Sequence, residues 1–407
     1  MKMRSMRCLY LAACLSFLLG IVAGCSSCSS SGGGSAADGS THGGSSSKSD
    51  SSNNSENASS ADFSAITMAI QNAQSQFSGG LTVEIATSKG VVYSYSAGGF
   101  SPGTRVIIAS SAKWVTATVL LRLVDQGVLS LDEKMSAVLT DRYGNAWSGN
   151  MGNITLRRLL NQTSGIHGDD LYSATQSDST KITLAEAVNR IYAEQHAASG
   201  TLAPGSYFWY GSNHFRIAAR YAEVKTGKSW EQIYAEQLRD PLGWSSESTY
   251  TVLSATNPNP AGTLALTGLE FMRFMMLQLR GGLDGTTRLV SEGLIDAQRQ
   301  DQFLSTTALT SSPYVDLGKY YHYGLGCRRE CSSPSDVGAC DADLRISSIG
   351  TFGWLPWIDV KNGYAAVIMT KQPNQAQVEP SLELKSTLEA LIPAVLAHNP
   401  AVIRSVP

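Results

Sequence analysis

The chain has 407 residues, of which 31 are Lys or Arg and 33 are Asp or Glu, for a formal charge of -2. That near balance, with no basic run, argues against nucleic acid as a partner. The length suffices for one large domain, or two intimately joined subdomains, beside a tract that will not fold.

Lys2, Arg4 and Arg7 precede an apolar run from Leu9 to Ala23, which reads as a secretory signal and not a spanning helix. The run ends in Val22-Ala23-Gly24-Cys25, which resembles the bacterial lipoprotein box. That resemblance implies that Cys25 is acylated and becomes the mature N-terminus. The protein would then sit in the cell envelope, lipid-anchored on the periplasmic or cell-surface face of a membrane. Ser26 follows where aspartate would signal inner-membrane retention, so retention is not implied. Ser26 to Ser60 is nearly all Ser, Gly and Asn, which cannot bury apolar surface and predicts a flexible tether.

The fold is expected to start near Ala61 with an amphipathic helix carrying Phe63, Ile66, Ile70 and Phe77. Strands at Leu81 to Ala86 and Val91 to Tyr95 follow, joined through Ser88-Lys89-Gly90. A short β-branched run, Val106 to Ile108, leads to Ser110. From there Val115, Val119, Leu120, Leu123 and Val124 recur at helical spacing, and Gly127 supplies a stop. So little of this helix is charged that it is expected to be buried nearly all round. From Leu129 capped helices dominate. Thr183-Leu-Ala-Glu186 and Thr267-Gly-Leu-Glu270 are capping boxes, and Ser229 caps the segment carrying Trp230, Ile233, Tyr234 and Leu238. Strands return at Leu344 to Ile349, Leu355 to Val360 and Tyr364 to Met369, with a closing helix from Ser381 that Pro393 bends or ends.

Of the 7 cysteines, Cys8 and Cys14 leave with the signal and Cys28 lies in the tether. Cys327, Cys331 and Cys340 remain, and an oxidising envelope favours one internal disulfide among them. Cys331 to Cys340 would close a loop containing Pro334 and Gly338; the other pairings stay open. Zinc is the rival use of these thiols, but no histidine stands nearby and no Cys-x-x-Cys knuckle is repeated.

Chemistry concentrates at Ser110. A serine at a helix N-terminus meets unpaired N–H groups and the positive dipole end, which favour developing negative charge. Lys113 lies one turn on, within reach of the hydroxyl, and a lysine amine in a dry place is pushed towards the neutral form that can take the serine proton. Ser-x-x-Lys recurs as Ser45 and Lys48 in the tether, where it means nothing catalytic. Gly99-Phe-Ser101-Pro-Gly103 matches a nucleophile elbow, but Pro102 lacks the N–H that an elbow uses as an oxyanion donor, so a turn is expected. His167, beside Gly168-Asp169-Asp170, and His214, after Asn213, are the candidates for a Ser-His-Asp triad; surface or cleft-wall positions are the alternative.

Four motifs in order carry a family resemblance: Ser110-Ser-Ala-Lys113, Leu159-Leu-Asn-Gln-Thr-Ser-Gly-Ile166, Pro204-Gly-Ser-Tyr-Phe-Trp-Tyr210 and Ser348-Ile-Gly350. Together they resemble the serine β-lactamase and penicillin-binding protein superfamily, in the branch of class C β-lactamases, D-amino-acid peptidases and related esterases. The resemblance implies an α+β fold of the β-lactamase/transpeptidase type, an antiparallel sheet flanked by helices plus a helical subdomain. Its domain expectation is residues 1–24 as signal, 25–60 as tether and 61–397 as hydrolase. Within that domain the sheet subdomain takes 61–128 and 335–397, and the helical subdomain 129–334. Ser110 becomes the acyl-accepting nucleophile, Lys113 its proton partner, and Tyr210 the tyrosine that shares the acid–base work. Trp209, Trp354 and Trp357 are expected in the cleft wall and core.

This chain departs from the family twice. Ser212 stands at the second motif's asparagine, with Asn213 one step late. Ser348 stands where the third motif has a cation, although Gly350 still allows close approach and Thr351 N–H would complete an oxyanion hole with that of Ser110. Arg345 lies at an odd offset from Ser348 and points to the opposite strand face. The missing cation favours uncharged esters or amides over substrates that end in a carboxylate. The expected protein is a monomeric serine hydrolase needing no metal or organic cofactor. The competing class is a non-catalytic envelope protein that keeps the fold as a binding module.

Overall fold

The period-2 pattern around Leu81, Val83 and Ile85 gives β1 (Leu81–Thr87), which pairs antiparallel with β2 (Gly90–Ala97). This hairpin belongs to a computed structural model that describes residues 62–167, 180–197, 202–311, 313–314, 317–331, 340, 344–371 and 378–398. Residues 1–60, where a signal and a tether are expected and where Cys25 and Cys28 lie, are outside the described residues, as are Gly168, Asp169 and Asp170.

β1 is buried along its whole length because it lies inside a seven-stranded sheet whose neighbours all run antiparallel. Later strands complete it: β9 (Tyr320–Tyr323), β10 (Arg328–Cys331), β11 (Arg345–Ser347), β12 (Leu355–Asp359) and β13 (Tyr364–Met369), in the order β2-β1-β13-β12-β11-β10-β9. Helices α1 (Ser64–Ala73) and α9 (Val378–Ala397) cover one face, sharing a core with Val83, Ile85, Leu355 and Ile368. Against the other face lies α7 (Gly268–Leu279), whose Thr267/Glu270 capping box forms as the sequence predicts. The architecture is α+β.

Three boundaries differ from the sequence reading. α1 stops at Ala73, and Phe77 joins the core only after a 3-10 turn. α9 begins at Val378, ahead of Ser381, and runs through Pro393. Most consequentially, β9 and β10 fall inside the span 129–334 that was assigned to the helical subdomain. The sheet therefore takes more of the chain than expected. Arg328-Arg-Glu-Cys331 does not look like a strand in sequence, because three of its four side chains are polar. Tertiary partners make their burial tolerable.

The Ser110 region feeds α2 (Ala112–Asp125), in which Val115, Val119, Leu120 and Leu121 are fully buried. Each such side chain contributes roughly 1.5–3 kcal/mol by leaving water. α2 packs against α5 (Asn213–Thr226) and α6 (Trp230–Tyr234), and α6 carries the expected Ser229 cap in a capping box with Gln232. Cys331 and Cys340 form a disulfide, and Cys327 is a buried free thiol that burial pushes up to about 12. The pairing left open by the sequence is thereby resolved. It also removes the thiolates that a metal would need, although His322 lies close to both sulfurs.

Candidate active site

The approach to Ser110 is short and locked. β3 (Val106–Ile107) pairs with β5 (Ala265–Leu266), outside the main sheet, and Ile108 N–H donates to Leu264 O at 3.0 Å. Ala109 then adopts φ 50°, a left-handed conformation that costs free energy in any residue with a Cβ. Ser110 follows in a 3-10 turn, Ala109–Ser111, so regular α-helix starts two residues later than expected, at Ala112. The strained corner lifts Ser110 out of the core. Its neighbour Ser111 is fully buried and donates to Ser348 O at 2.6 Å. Ser110 keeps partial exposure, and Lys113 Nζ stands 3.1 Å from its Oγ.

Lys113 is 2% exposed and also donates to Ala261 O at 3.1 Å. Its Nζ lies 4.8 Å from the centre of the Tyr210 ring. Tyr210 comes off β4 (Tyr207–Trp209), which pairs parallel with β8 (Ala308–Ser311). Gln162, itself at φ 58°, clamps both sides of it: its carbonyl accepts from Trp209 N–H at 3.1 Å and its Oε1 from Gly211 N–H at 2.6 Å. The Asn161-Gln162 turn therefore positions Tyr210. Sequence reading used these residues only as motif text.

Burial alone would raise the Tyr210 phenol. The charges of Lys113 and Arg328 more than offset it and bring the group down to about 8. The hydroxyl is buried without a hydrogen bond of good geometry among the described residues, yet it lies near enough to Ser110 and Lys113 to feel both. Arg328 is the residue that sequence reading missed. It is 2% exposed on β10, in register with Ser347, and its guanidinium carbon lies 4.7 Å from the Tyr210 ring centre. The available signal was an Arg-Arg pair directly after Gly324-Leu-Gly-Cys327, with no acidic residue at helical spacing before it.

The third motif closes the site from the sheet side. Ser348 Oγ donates to Ser110 O at 3.3 Å, and Gly350 N–H donates to Trp354 O at 2.8 Å. A Cβ on Gly350 would stand 2.4 Å from Ile108 O, so only glycine lets the strand end approach the Ser110 corner. Thr351 follows, half-buried. Arg345 pairs with Glu389 of α9 on the far face, as strand alternation requires. Ser212 is half-buried at the head of α5, and Asn213 is buried in its first turn.

The triad alternative does not form around His214. Its Nε2 donates to Trp209 O at 2.9 Å, which leaves Nδ1 to accept from Ser164 Oγ at 2.9 Å. Burial lowers this histidine to about 4, so it is neutral and spoken for. His167 Nδ1 lies 3.2 Å from Gly165 O; its acidic neighbours are outside the described residues. Gly99 to Gly103 is a turn, with Thr104 N–H donating to Ser101 O at 2.9 Å. Trp354 and Trp357 are core residues, and Trp209 is half-buried beside Tyr210.

Penicillin-binding protein 4 of Amycolatopsis lactamdurans is 28% identical over 219 residues, 47% of this chain, and the chain spans about half (55%) of that relative's length. A structure from Bacteroides dorei DSM 17855, described as a candidate beta-lactamase, superposes with TM-score 0.67 at 26% identity, over 81% of this chain and 98% of that one. Simvastatin synthase (LovD) from Aspergillus terreus shares the fold at TM-score 0.60 and 18% identity, over 81% and 98% of the two chains. The Beta-lactamase family model matches residues 69–385, and the chain belongs to that family.

Proposed function

We propose that this protein is a serine hydrolase that forms an acyl-enzyme on Ser110 with uncharged ester or amide substrates. The observation that carries the reading is Lys113 Nζ at 3.1 Å from a partly exposed Ser110 Oγ, with the Tyr210 phenol beside both. Ser110 Oγ attacks the acyl carbon as its proton passes to the Lys113/Tyr210 pair. The same pair returns a proton to the departing alcohol or amine, and water then repeats the sequence in reverse roles. The N–H of Ser110 and the N–H of Thr351 hold the oxyanion. Ser212, on motif spacing, supplies the polar contact that the family draws from asparagine, with Asn213 behind it. No cation stands at Ser348, and Arg328 is covered by Tyr210, which supports an acyl group without a carboxylate.

A fluorophosphonate probe followed by peptide mass spectrometry tests this. Adduct on Ser110, absent in Ser110→Ala, is expected. An unlabelled Ser110 in folded protein would favour the non-catalytic binding module. Nitrocefin against p-nitrophenyl esters then separates β-lactamase from esterase. Because the basic form of Tyr210 is the useful one and its value is lowered to about 8, kcat/KM is expected to rise with pH through about 8 and level off above it. A profile flat from pH 6 to 10 would take Tyr210 out of proton transfer.

We also propose envelope anchoring through lipid on Cys25, supported by the signal and box at residues 1–25. Metabolic labelling with a palmitate analogue is expected to mark the wild type and not Cys25→Ala. Equal labelling of the two would remove the anchor.

A further inference from the structure

Arg328 is a buried cation answered by phenols. Its ring neighbours are Tyr210, Tyr314 and Tyr321, at 4.7, 5.4 and 5.6 Å from guanidinium carbon to ring centre. Burial works against its charge, and Tyr210, Tyr314, Tyr323 and Tyr321 more than compensate. Its Nη1 is buried with no hydrogen-bond partner among the described residues. A guanidinium out of water is costly unless an anion or a π face answers it. Burial drives Tyr321 and Tyr323 well above the ordinary phenol range, so neither supplies that anion. Tyr210 goes the other way, because Lys113 and Arg328 both act on it.

Placement gives the arrangement its meaning. Arg328 pairs in register with Ser347, one residue before the position where the third motif would carry its cation. The charge absent from Ser348 thus enters from the next strand, beneath the tyrosine and not at the cleft mouth. The groups facing Tyr210 are Lys113 from α2, Arg328 from β10 and Tyr323 from β9, whose ring centre is 6.1 Å away. His214 from α5 stands near Lys113 and is neutral.

We propose that Arg328 is a positioning residue for acyl transfer: its guanidinium, stacked on the Tyr210 ring, fixes that ring beside Lys113 and Ser110 and favours the phenolate that accepts the serine proton. The catalytic consequence rests on the Ser110 reading; the effect on Tyr210 does not. In the step itself the Ser110 O–H proton moves to the Tyr210 oxygen as the Oγ–acyl bond forms. Tyr210 then yields that proton to the leaving group as the old acyl bond breaks.

Ultraviolet difference titration at the phenolate band reads the effect directly, by subtracting Tyr210→Phe from the wild type. A step near pH 8 is expected, moved up by about one pH unit or more in Arg328→Gln and by less in Arg328→Lys, which keeps the charge. A step that stays in place in Arg328→Gln, or moves equally in both variants, overturns the proposal. Far-ultraviolet circular dichroism identifies any variant that fails to fold, and Arg328→Lys still carries the test if Arg328→Gln does. The pH limb of p-nitrophenyl ester hydrolysis is expected to follow the same shifts, which a merely structural arginine would not cause. A step that moves in a protein that never acylates Ser110 sinks the hydrolase reading alone. A stationary step with normal acylation sinks this inference alone.

Discussion

Replacing Lys113 with methionine is expected to slow acylation of Ser110 about 100- to 10,000-fold, the range that a positioned proton-transfer group contributes. Methionine keeps the unbranched apolar stem, so the packing of α2 is retained and the change falls on the amine. That amine is held from two sides, by Ser110 Oγ and by Ala261 O, each at 3.1 Å. A carbonyl can only accept, so one N–H is committed to Ala261 and the rest of the group is aimed at the serine. Removing it also deletes one of the two cations that lower Tyr210. The residual rate should therefore rise at a higher pH than in the wild type. Single-turnover acylation by a p-nitrophenyl ester between pH 7 and 10, beside a thermal melt, measures both. A rate within a factor of three of wild type would take the lysine out of the chemistry.

Across the sheet, Lys385→Met is expected to cost about 3–5 kcal/mol of folding stability, the loss seen when one partner of a buried ion pair is removed. Lys385 Nζ lies 2.8 Å from Glu330 Oε2 and 2.5 Å from Glu389 Oε1, with its side chain 5% exposed and each carboxylate 13%. Burial works to raise Glu330, and the charge and hydrogen bond of Lys385 hold it below the ordinary carboxylate value. Glu389 is raised by burial and by the charge of Glu330, in spite of the same lysine. Without Lys385 the two carboxylates face each other and take up protons in the folded state. A raised folded value favours folding at low pH and loses that advantage as pH rises, so the deficit should shrink from pH 7 towards pH 4. Urea midpoints at several pH values test this, and adding Glu330→Gln and Glu389→Gln should restore most of the loss. A deficit below about 1 kcal/mol at pH 7 would mean that the cluster is screened by water. Acylation per folded molecule is expected to stay unchanged, because α9 packs on the sheet face away from Ser110.

Local chemistry made part of this molecule readable in advance. The hairpin expected at Leu81 to Tyr95, the buried helix after Ser110, the capping box at Thr267 and the cap at Ser229 each follow from side-chain spacing over a short stretch. Ser110 and Lys113 are one turn apart, so helix geometry alone brings them together. The exclusion of an elbow at Ser101 came from a missing proline N–H, which no tertiary contact can restore.

What lay beyond the sequence are the features whose partners are distant in the chain. β10 was hidden because a strand of Arg, Arg, Glu and Cys is unfavourable until a helix some 55 residues later supplies Lys385 to Glu330. The left-handed Ala109 follows Ile108, whose N–H is tied to Leu264 O and whose carbonyl Gly350 approaches, both far away in the chain. The carbonyl of Ser348 captures the Ser111 hydroxyl, while that of Ser110 faces the lysine. By itself the sequence determined the family motifs, the first hairpin, the capped helices and the buried helix after Ser110, because those depend on short-range spacing. Tertiary structure alone decided the strand order, the disulfide pairing and the cation beneath Tyr210, because burying a charge or pairing a strand depends on groups that only folding brings within a few ångströms.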